Sequence, residues 1–417
     1  MDKLIITGNA KLSGDVEISC AKNAYLPILA GVILNKKNIH LKNLPELRDI
    51  RTMKKLLEML GVKTNVSGDT TTFDSSGMNS FEATYDLVKT MRASIFVLGP
   101  LLARHKEAKV SLPGGCAIGT RPIDLHLTNL EKLGAEIKME GGYVHAKTTG
   151  LVGANIVLAF PSVGATENLM MAATLASGQT VIDNAALEPE IGDLGNFLNA
   201  MGAKVSGLGT KTLTIDGVKE LHEVEYEAIG DRIEAGTYLM AALATNSELV
   251  IKKANPGHLE FVIEKLKEMG GQIEVRGEEI FVRPSDLRGT KIDTAPFPGF
   301  PTDLQAQMMA LLTQVNGNSL ISENIFENRF MHVPELQRLG AQITLKANSA
   351  FVEGGFPLKA APIMCTDLRA SAALVIAALC AEGETHVQRV YHLDRGYEKL
   401  DQKLLRMGVQ IKRVNED

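Results

Sequence analysis

The segment of this chain best equipped for chemistry is Pro113-Gly114-Gly115-Cys116-Ala117-Ile118-Gly119-Thr120-Arg121-Pro122-Ile123-Asp124, a cysteine among three glycines with an arginine and an aspartate close behind. Glycine admits positive φ at no steric cost, and proline stops a helix from running through. The sequence therefore predicts a loop able to bring a thiol to a bound ligand and withdraw it. The fixed charge of Arg121 favours thiolate and attracts anions. The alternative is an ordinary surface turn that happens to hold a cysteine. It is the weaker reading, because a free cysteine is usually buried and inert, and a glycine-rich loop does not suit a core.

Other cations fall where anions bind. An apolar, Ala/Met/Leu-rich helix recurs six times, over 24–34, 91–103, 167–177, 233–245, 304–314 and 368–381. Near the starts of these helices stand Lys22 and Asn23, Thr90 and Arg92, Thr166 with Glu167 and Asn168, Asp231 with Arg232 and Glu234, Thr302 and Asp303, and Thr366 with Asp367 and Arg369. Helix N-termini carry partial positive charge and free N–H groups, so they suit phosphate and carboxylate. Plain capping accounts for Glu167 and Glu234, and for the threonine–aspartate pairs. It does not account for Lys22, Arg92 and Arg369, whose charges are unfavourable at those ends and point to anionic ligands. Arg329 in Phe326-Glu327-Asn328-Arg329-Phe330 and Arg395 in His392 to Glu398 add loop-borne cations.

These residues are set out by a repeat. A pattern of apolar residues ending in glycine, then alternating apolar positions, returns at Gly61, Gly134, Gly202, Gly270, Gly340 and Gly408, with spacings of 73, 68, 68, 70 and 68. Each copy reads as an amphipathic helix closed by a C-cap glycine and followed by a strand. A helix apolar all round is a buried one. The predicted unit is thus strand, buried helix, strand, surface helix and two strands. About seventy residues is long for a solenoid repeat, so closed groups of units around shared buried helices are expected, two domains of three units each. The acidic stretch 220–227 is the candidate hinge region.

Composition bounds the rest. The 417 residues are 45% hydrophobic with net charge −5, sequence pI near 6.0, 5% aromatics and no tryptophan. No basic stripe or stacking platform advertises nucleic acid, and no stretch reads as a signal peptide or a membrane span. Cys20, Cys116, Cys365 and Cys380 show no CxxC spacing, so neither a metal site nor a redox pair is expected. Sparse cysteine fits a reducing, cytoplasmic setting.

Over essentially its whole length the chain resembles the UDP-N-acetylglucosamine enolpyruvyl transferases. The resemblance is carried by Ala21-Lys22-Asn23-Ala24, Thr90-Met91-Arg92-Ala93-Ser94, the Pro113 to Asp124 loop, Ser162-Val163-Gly164-Ala165-Thr166-Glu167-Asn168, Pro301-Thr302-Asp303-Leu304-Gln305, Phe326 to Phe330 and His392 to Glu398. It implies an α/β fold of two domains, an inside-out α/β barrel with three βαβαββ repeats per domain. The implied boundaries are 22–229 for the domain with the cysteine loop, and 1–21 with 230–417 for the other. It also implies transfer of the enolpyruvyl group of phosphoenolpyruvate to UDP-N-acetylglucosamine, with no cofactor and no metal. By resemblance, Cys116 is the acid, Asp303 the base, and Lys22 and Arg395 further catalytic groups. Phosphoenolpyruvate would meet Lys22, Asn23, Arg121, Arg329, Arg369 and Arg395. The sugar nucleotide would meet Asn23, Arg92, Arg121, Pro122, Ile123, Asp124, Leu125, His126, Ser162, Val163, Asp303 and Ile325. Phe160-Pro161 stands where some members carry a lysine, so a direct phosphate contact does not carry over there. Cys20 replaces a common glycine and reads as a small buried residue. The runner-up is a shikimate-pathway enolpyruvyl transferase, which shares fold and donor but does not use this cysteine loop. An RNA-end cyclase and an inactive regulatory paralogue rank below it.

Overall fold

The computed structural model describes residues 2–88, 91–112 and 123–415. Thr90, Cys116, Arg121 and Pro122 lie outside the described residues. The six apolar segments form the central helices: Lys22–Gly31, Leu98–His105, Val163–Ala173, Arg232–Ala244, Gln305–Leu312 and Leu368–Cys380. Nearly every residue of five of them is buried, as their all-round apolar character requires, while Leu98–His105 is buried over 98–102. Short 3-10 turns, Arg92–Val97 and Thr302–Leu304, lead into the second and fifth. At the second, Pro100 has no N–H to give to the carbonyl four residues back, so a regular α-helix cannot hold together through that junction.

Four of the central helices are crossovers between two parallel strands of one sheet, Lys22–Gly31 and Arg232–Ala244 link strands of different sheets, and an antiparallel pair completes each four-stranded sheet. In the sheet containing Asn155–Val157 the order is Asn155–Val157, Gln179–Asp183, Thr212–Asp216, Lys204–Ser206, with only the first pair parallel. Parallel neighbours need such a crossover. Six sheets repeat this plan. The amphipathic helices end as the repeat predicts: Gly61, Gly134, Gly202, Gly270, Gly340 and Gly408 all have φ between 90° and 107°, a conformation that favours glycine.

The chain forms two compact units, residues 20–112 with 123–229 and residues 2–19 with 230–415. Each has its own hydrophobic core. Both are three βαβαββ repeats with helices inside and sheets outside, the inside-out α/β barrel. The leading strand of one repeat in each unit comes from far along the chain. Val224–Tyr226 lies parallel to Ile39–Lys42, and Asp15–Glu17 lies parallel to Leu249–Lys252. Asp2–Thr7 inserts between Glu384–Gln388 and Ile411–Asn415.

The acidic stretch 220–227, expected as a hinge region, instead contains the strand Val224–Tyr226. Val224 is buried and the Tyr226 hydroxyl donates to Asp193 at 2.6 Å. Its acids face outward, Glu223 onto His40 at 2.9 Å and Glu225 onto Lys42 at 2.5 Å. Charge density suggested a linker, but alternation of apolar and acidic residues is also how an edge strand looks.

Close helix packing in the first unit rests on Gly99. A Cβ there would come within 2.4 Å of Asn168 Oδ1 and 2.5 Å of the Asn168 carbonyl oxygen. The Gly99 N–H donates to Asn168 Oδ1 at 2.7 Å, so the helix cannot slide away without losing that bond. Gly99→Ala should destabilise the protein by about 1–3 kcal/mol through overpacking, read as a lower urea midpoint.

Candidate active site

In the unit of residues 2–19 and 230–415, three expected residues meet at one carboxylate. Asp303 sits in the turn Thr302–Leu304 that opens the helix Gln305–Leu312, yet its side chain does not cap that turn. It accepts from Arg329 Nη2 at 2.7 Å, and from Arg369 Nε at 3.0 Å and Nη2 at 2.8 Å. Both arginine side chains are buried, 3% and 4% exposed, while that of Asp303 is 27% exposed. Two guanidiniums share this one carboxylate, and the charge of Asp231 also acts on Arg369. Arg369 Nη1 has no hydrogen-bond acceptor among the described residues.

Arg369 is placed by its helix. Asp367 caps Leu368–Cys380 by accepting from the N–H groups of Arg369 and Ala370 at 2.9 and 3.1 Å, so aspartate and not Thr366 is the cap. The guanidinium lies 5.7 Å from the Tyr397 ring centre. The Tyr397 hydroxyl bonds with Thr237 Oγ1 at 2.8 Å and Gln307 Nε2 at 3.0 Å, and Gln307 donates to the Asp303 carbonyl at 2.9 Å. Sequence reading missed Thr237 and Gln307. Gln307 did leave a signal, as a polar residue inside an otherwise apolar helix. Arg395 ends the 3-10 helix Val390–Arg395, which packs on Leu368–Cys380. Ile325 lies in the turn after the strand Asn318–Ser322.

In the unit of residues 20–112 and 123–229, Lys22 and Asn23 open Lys22–Gly31, and no side chain caps that helix. A lysine there opposes the helix dipole. Asp49 Oδ2, 3.7 Å from Lys22 Nζ, compensates, and both side chains are buried. Asp49 itself sits in the first turn of Arg48–Met59, where an acid is favourable. Arg92 starts the turn Arg92–Val97. Ser162 caps Val163–Ala173, its Oγ accepting from the Ala165 N–H at 3.4 Å, and Val163 is the first helical residue. Ile123 is buried just before Asp124–Lys132, Asp124 is exposed and Leu125 is half-buried.

His126 turns inward. Its Nδ1 faces Asn168 Nδ2 at 3.1 Å, and a Cβ on Gly164 would meet its Cε1 at 3.3 Å. Asn168 must donate there, so the proton belongs on Nε2. Burial, with the Arg92 charge second, lowers the His126 pKa to about 4.

Two capping expectations are corrected. Glu167 does not cap its helix. It is buried, its Oε1 lacks a hydrogen-bond partner among the described residues, and burial with Glu190 and Glu188 raises its pKa. Glu234 accepts from the Ser19 N–H at 2.7 Å and Lys403 Nζ at 2.6 Å, and Asp231 caps that helix instead. In both cases the cap lies nearer the start, Ser162 and Asp231, and the glutamate side chain is carried into the core. Cys20 is half-buried and lies 3.8 Å from Glu227 Oε1, so it is not the core residue expected.

The buried imidazole has a consequence for stability. The folded pKa of His126 lies below the ordinary value of about 6.5, so the unfolded chain binds the extra proton, and this histidine costs stability as pH falls from about 6.5 toward 4. His332, buried and also lowered to about 4, acts in the same direction. Glu167, raised, opposes them. The difference between wild type and His126→Gln isolates one site. The variant should lose less stability between pH 7 and 5, by on the order of 2 kcal/mol, in urea titrations at the two pH values.

The EPSP synthase family (3-phosphoshikimate 1-carboxyvinyltransferase) matches residues 6–404. A UDP-N-acetylglucosamine 1-carboxyvinyltransferase of Geobacter metallireducens is 53% identical over 417 residues, covering 100% of both chains. One of Pseudoalteromonas atlantica is 55% identical over 419 residues, covering 99% of this chain and 100% of its own. Among solved structures, the enolpyruvyl transferase NikO of Streptomyces tendae superposes with a TM-score of 0.89 at 25% identity, covering 100% of this chain and 99% of its own. An EPSP synthase of Acinetobacter baumannii reaches a TM-score of 0.76 at 17% identity, covering 99% of this chain and 100% of its own, a likeness of fold alone. A match along nearly the whole chain, with the same repeated architecture, gives the assignment: this chain belongs to the EPSP synthase family of enolpyruvyl transferases.

Proposed function

We propose that this chain transfers the enolpyruvyl group of phosphoenolpyruvate to a hydroxyl of UDP-N-acetylglucosamine and releases phosphate, the first committed step of peptidoglycan synthesis. Full-length relatives at 51–55% identity bear the name of that activity, whereas the solved EPSP synthases are 17% identical, so the shikimate-pathway alternative is not favoured. The structural observation that carries the reading is Asp303 gripped by Arg329 and Arg369. It joins a proton acceptor to two buried guanidiniums, groups suited to a reaction on a phosphorylated carboxylate. An inactive paralogue would be expected to have lost such groups, yet Lys22, Asp303, Arg329, Arg369 and Arg395 all stand in the chain. Sparse cysteine supports a cytoplasmic setting.

In the addition step the sugar hydroxyl oxygen bonds to C2 of phosphoenolpyruvate. Its proton passes to Asp303, and C3 gains a proton from Cys116. In the elimination step C3 returns a proton to the Cys116 thiolate left by the addition, the C2–O bond to phosphate breaks to restore the double bond, and the departing phosphate takes the proton held by Asp303. Lys22, Arg121 and Arg395 hold the phosphate and carboxylate, with Arg329 and Arg369 behind them. Asn23, Arg92, residues 121–126, Ser162, Val163 and Ile325 bind the sugar nucleotide.

Three measurements test this reading. Purified protein should release phosphate from phosphoenolpyruvate with UDP-N-acetylglucosamine and not with 3-phosphoshikimate; the reverse preference would reassign the enzyme. Asp303→Asn should lower kcat by about 10²–10⁴-fold with little change in sugar-nucleotide affinity. A loss explained by weaker binding alone would make Asp303 a binding residue.

The third separates the roles of Cys116. A free thiol has a pKa of about 8.5 and an aspartic acid about 3.9, so Cys116→Asp can still deliver a proton and should keep measurable turnover, while Cys116→Ser should not. The thiolate is the nucleophile, so the small anionic epoxide fosfomycin should alkylate wild type and spare Cys116→Asp. Burial pushes the thiols of Cys365 and Cys380 up to about 12, which leaves them unreactive. Mass spectrometry locates the adduct, and an adduct on another cysteine would refute the choice of loop.

A further inference from the structure

Glu323 follows the strand Asn318–Ser322 and is 4% exposed. Its Oε1 accepts from Thr294 Oγ1 at 3.0 Å, from the Ile325 N–H at 2.8 Å and from the Phe326 N–H at 3.1 Å. Its Oε2 accepts from Thr302 Oγ1 at 2.9 Å. Thr294 extends the hub, since its Oγ1 accepts from the Asn324 N–H at 2.8 Å and its carbonyl from Asn324 Nδ2 at 3.1 Å. Simple turn-making explains the bonds to Ile325 and Phe326. It does not explain why the other oxygen reaches Thr302, the residue before Asp303.

The four donors are two hydroxyls and two backbone N–H groups. A buried carboxylate satisfied in this way is expensive to desolvate and is held by strong charge-assisted bonds. It fixes two pieces of backbone against one another: the turn bearing Asp303 and the loop bearing Ile325. We propose that Glu323 is a positioning residue, tying the base to the loop that binds the sugar nucleotide so that one carboxylate sets the distance between proton acceptor and acceptor substrate. This rests on the roles proposed above for Asp303 and Ile325.

Glutamine offers a conservative test. Its Oε1 can keep all three acceptor roles, and its amide can donate to Thr302 Oγ1, reversing only the direction of that bond. Glu323→Gln should therefore hold kcat and the KM for UDP-N-acetylglucosamine within about fivefold of wild type, the weakening expected when charge-assisted bonds become neutral. Glu323→Ala should lower kcat and raise that KM, each by about tenfold or more. Thr302→Val removes only the bond beside Asp303. It should lower kcat about three- to tenfold while the KM for UDP-N-acetylglucosamine stays put.

All rates are taken per folded molecule. A purely structural role would lower the melting temperature of Glu323→Ala and leave kcat and KM unchanged, and that result overturns the proposal. If Glu323→Ala does not fold, Thr302→Val decides: an unchanged kcat overturns it, and a fall in kcat alone supports it. Wild type inactive with UDP-N-acetylglucosamine refutes the proposed function and this inference together. Wild type active beside unaffected variants refutes this inference only.

Discussion

A helix that is apolar on every side can offer chemistry only at its ends. That constraint governs the molecule. Shielding such helices takes sheets on the outside, and closing three of them into one core takes a repeat. The lengths of the central helices then leave their starts as the natural route by which ionisable groups reach the interior edge. Lys22, Arg92, Asp303 and Arg369 all stand at such starts. The three cations oppose the local dipole, and those with described partners are compensated side chain by side chain: Lys22 by Asp49, Arg369 by Asp303.

The compensation differs between the two starts. Asp49 lies 3.7 Å from Lys22, a loose pair. Asp303 answers two arginines at once at 2.7–3.0 Å. Breaking such a buried pair by removing one partner is far worse than never having built it.

The periodic parts of the fold were legible because periodicity is a one-dimensional signal. The C-cap glycines and the all-apolar helices could be read residue by residue, and the helix starts followed from them. What stayed hidden depends on pairing across the chain. Val224–Tyr226 looked like a charged linker because its partner, Ile39–Lys42, is nearly two hundred positions away. Glu167 and Glu234 passed for caps because sequence shows that an acid is near a helix start but not whether it faces the turn or the core. Asn168, which joins Gly99, Ile95 and His126 through one amide, left no mark beyond its identity. Glu323 was invisible for the same reason: its four donors come from three separated places, 294, 302 and 325–326.

The exchanged strands also impose an order on biosynthesis. The unit of residues 20–112 and 123–229 has all its strands once residue 229 has left the ribosome, including Val224–Tyr226. The other unit owns the earliest segments, Asp2–Thr7 and Asp15–Glu17, but Asp2–Thr7 finds its neighbours only at 384–388 and 411–415. At roughly 5–20 residues per second, an apolar strand made at the outset waits on the order of ten seconds or more after its sister unit is complete. During that interval its two edges are open to wrong partners. The junction at residues 19–20, which holds the strand to an already folded body, keeps it near the nascent chain it must eventually join.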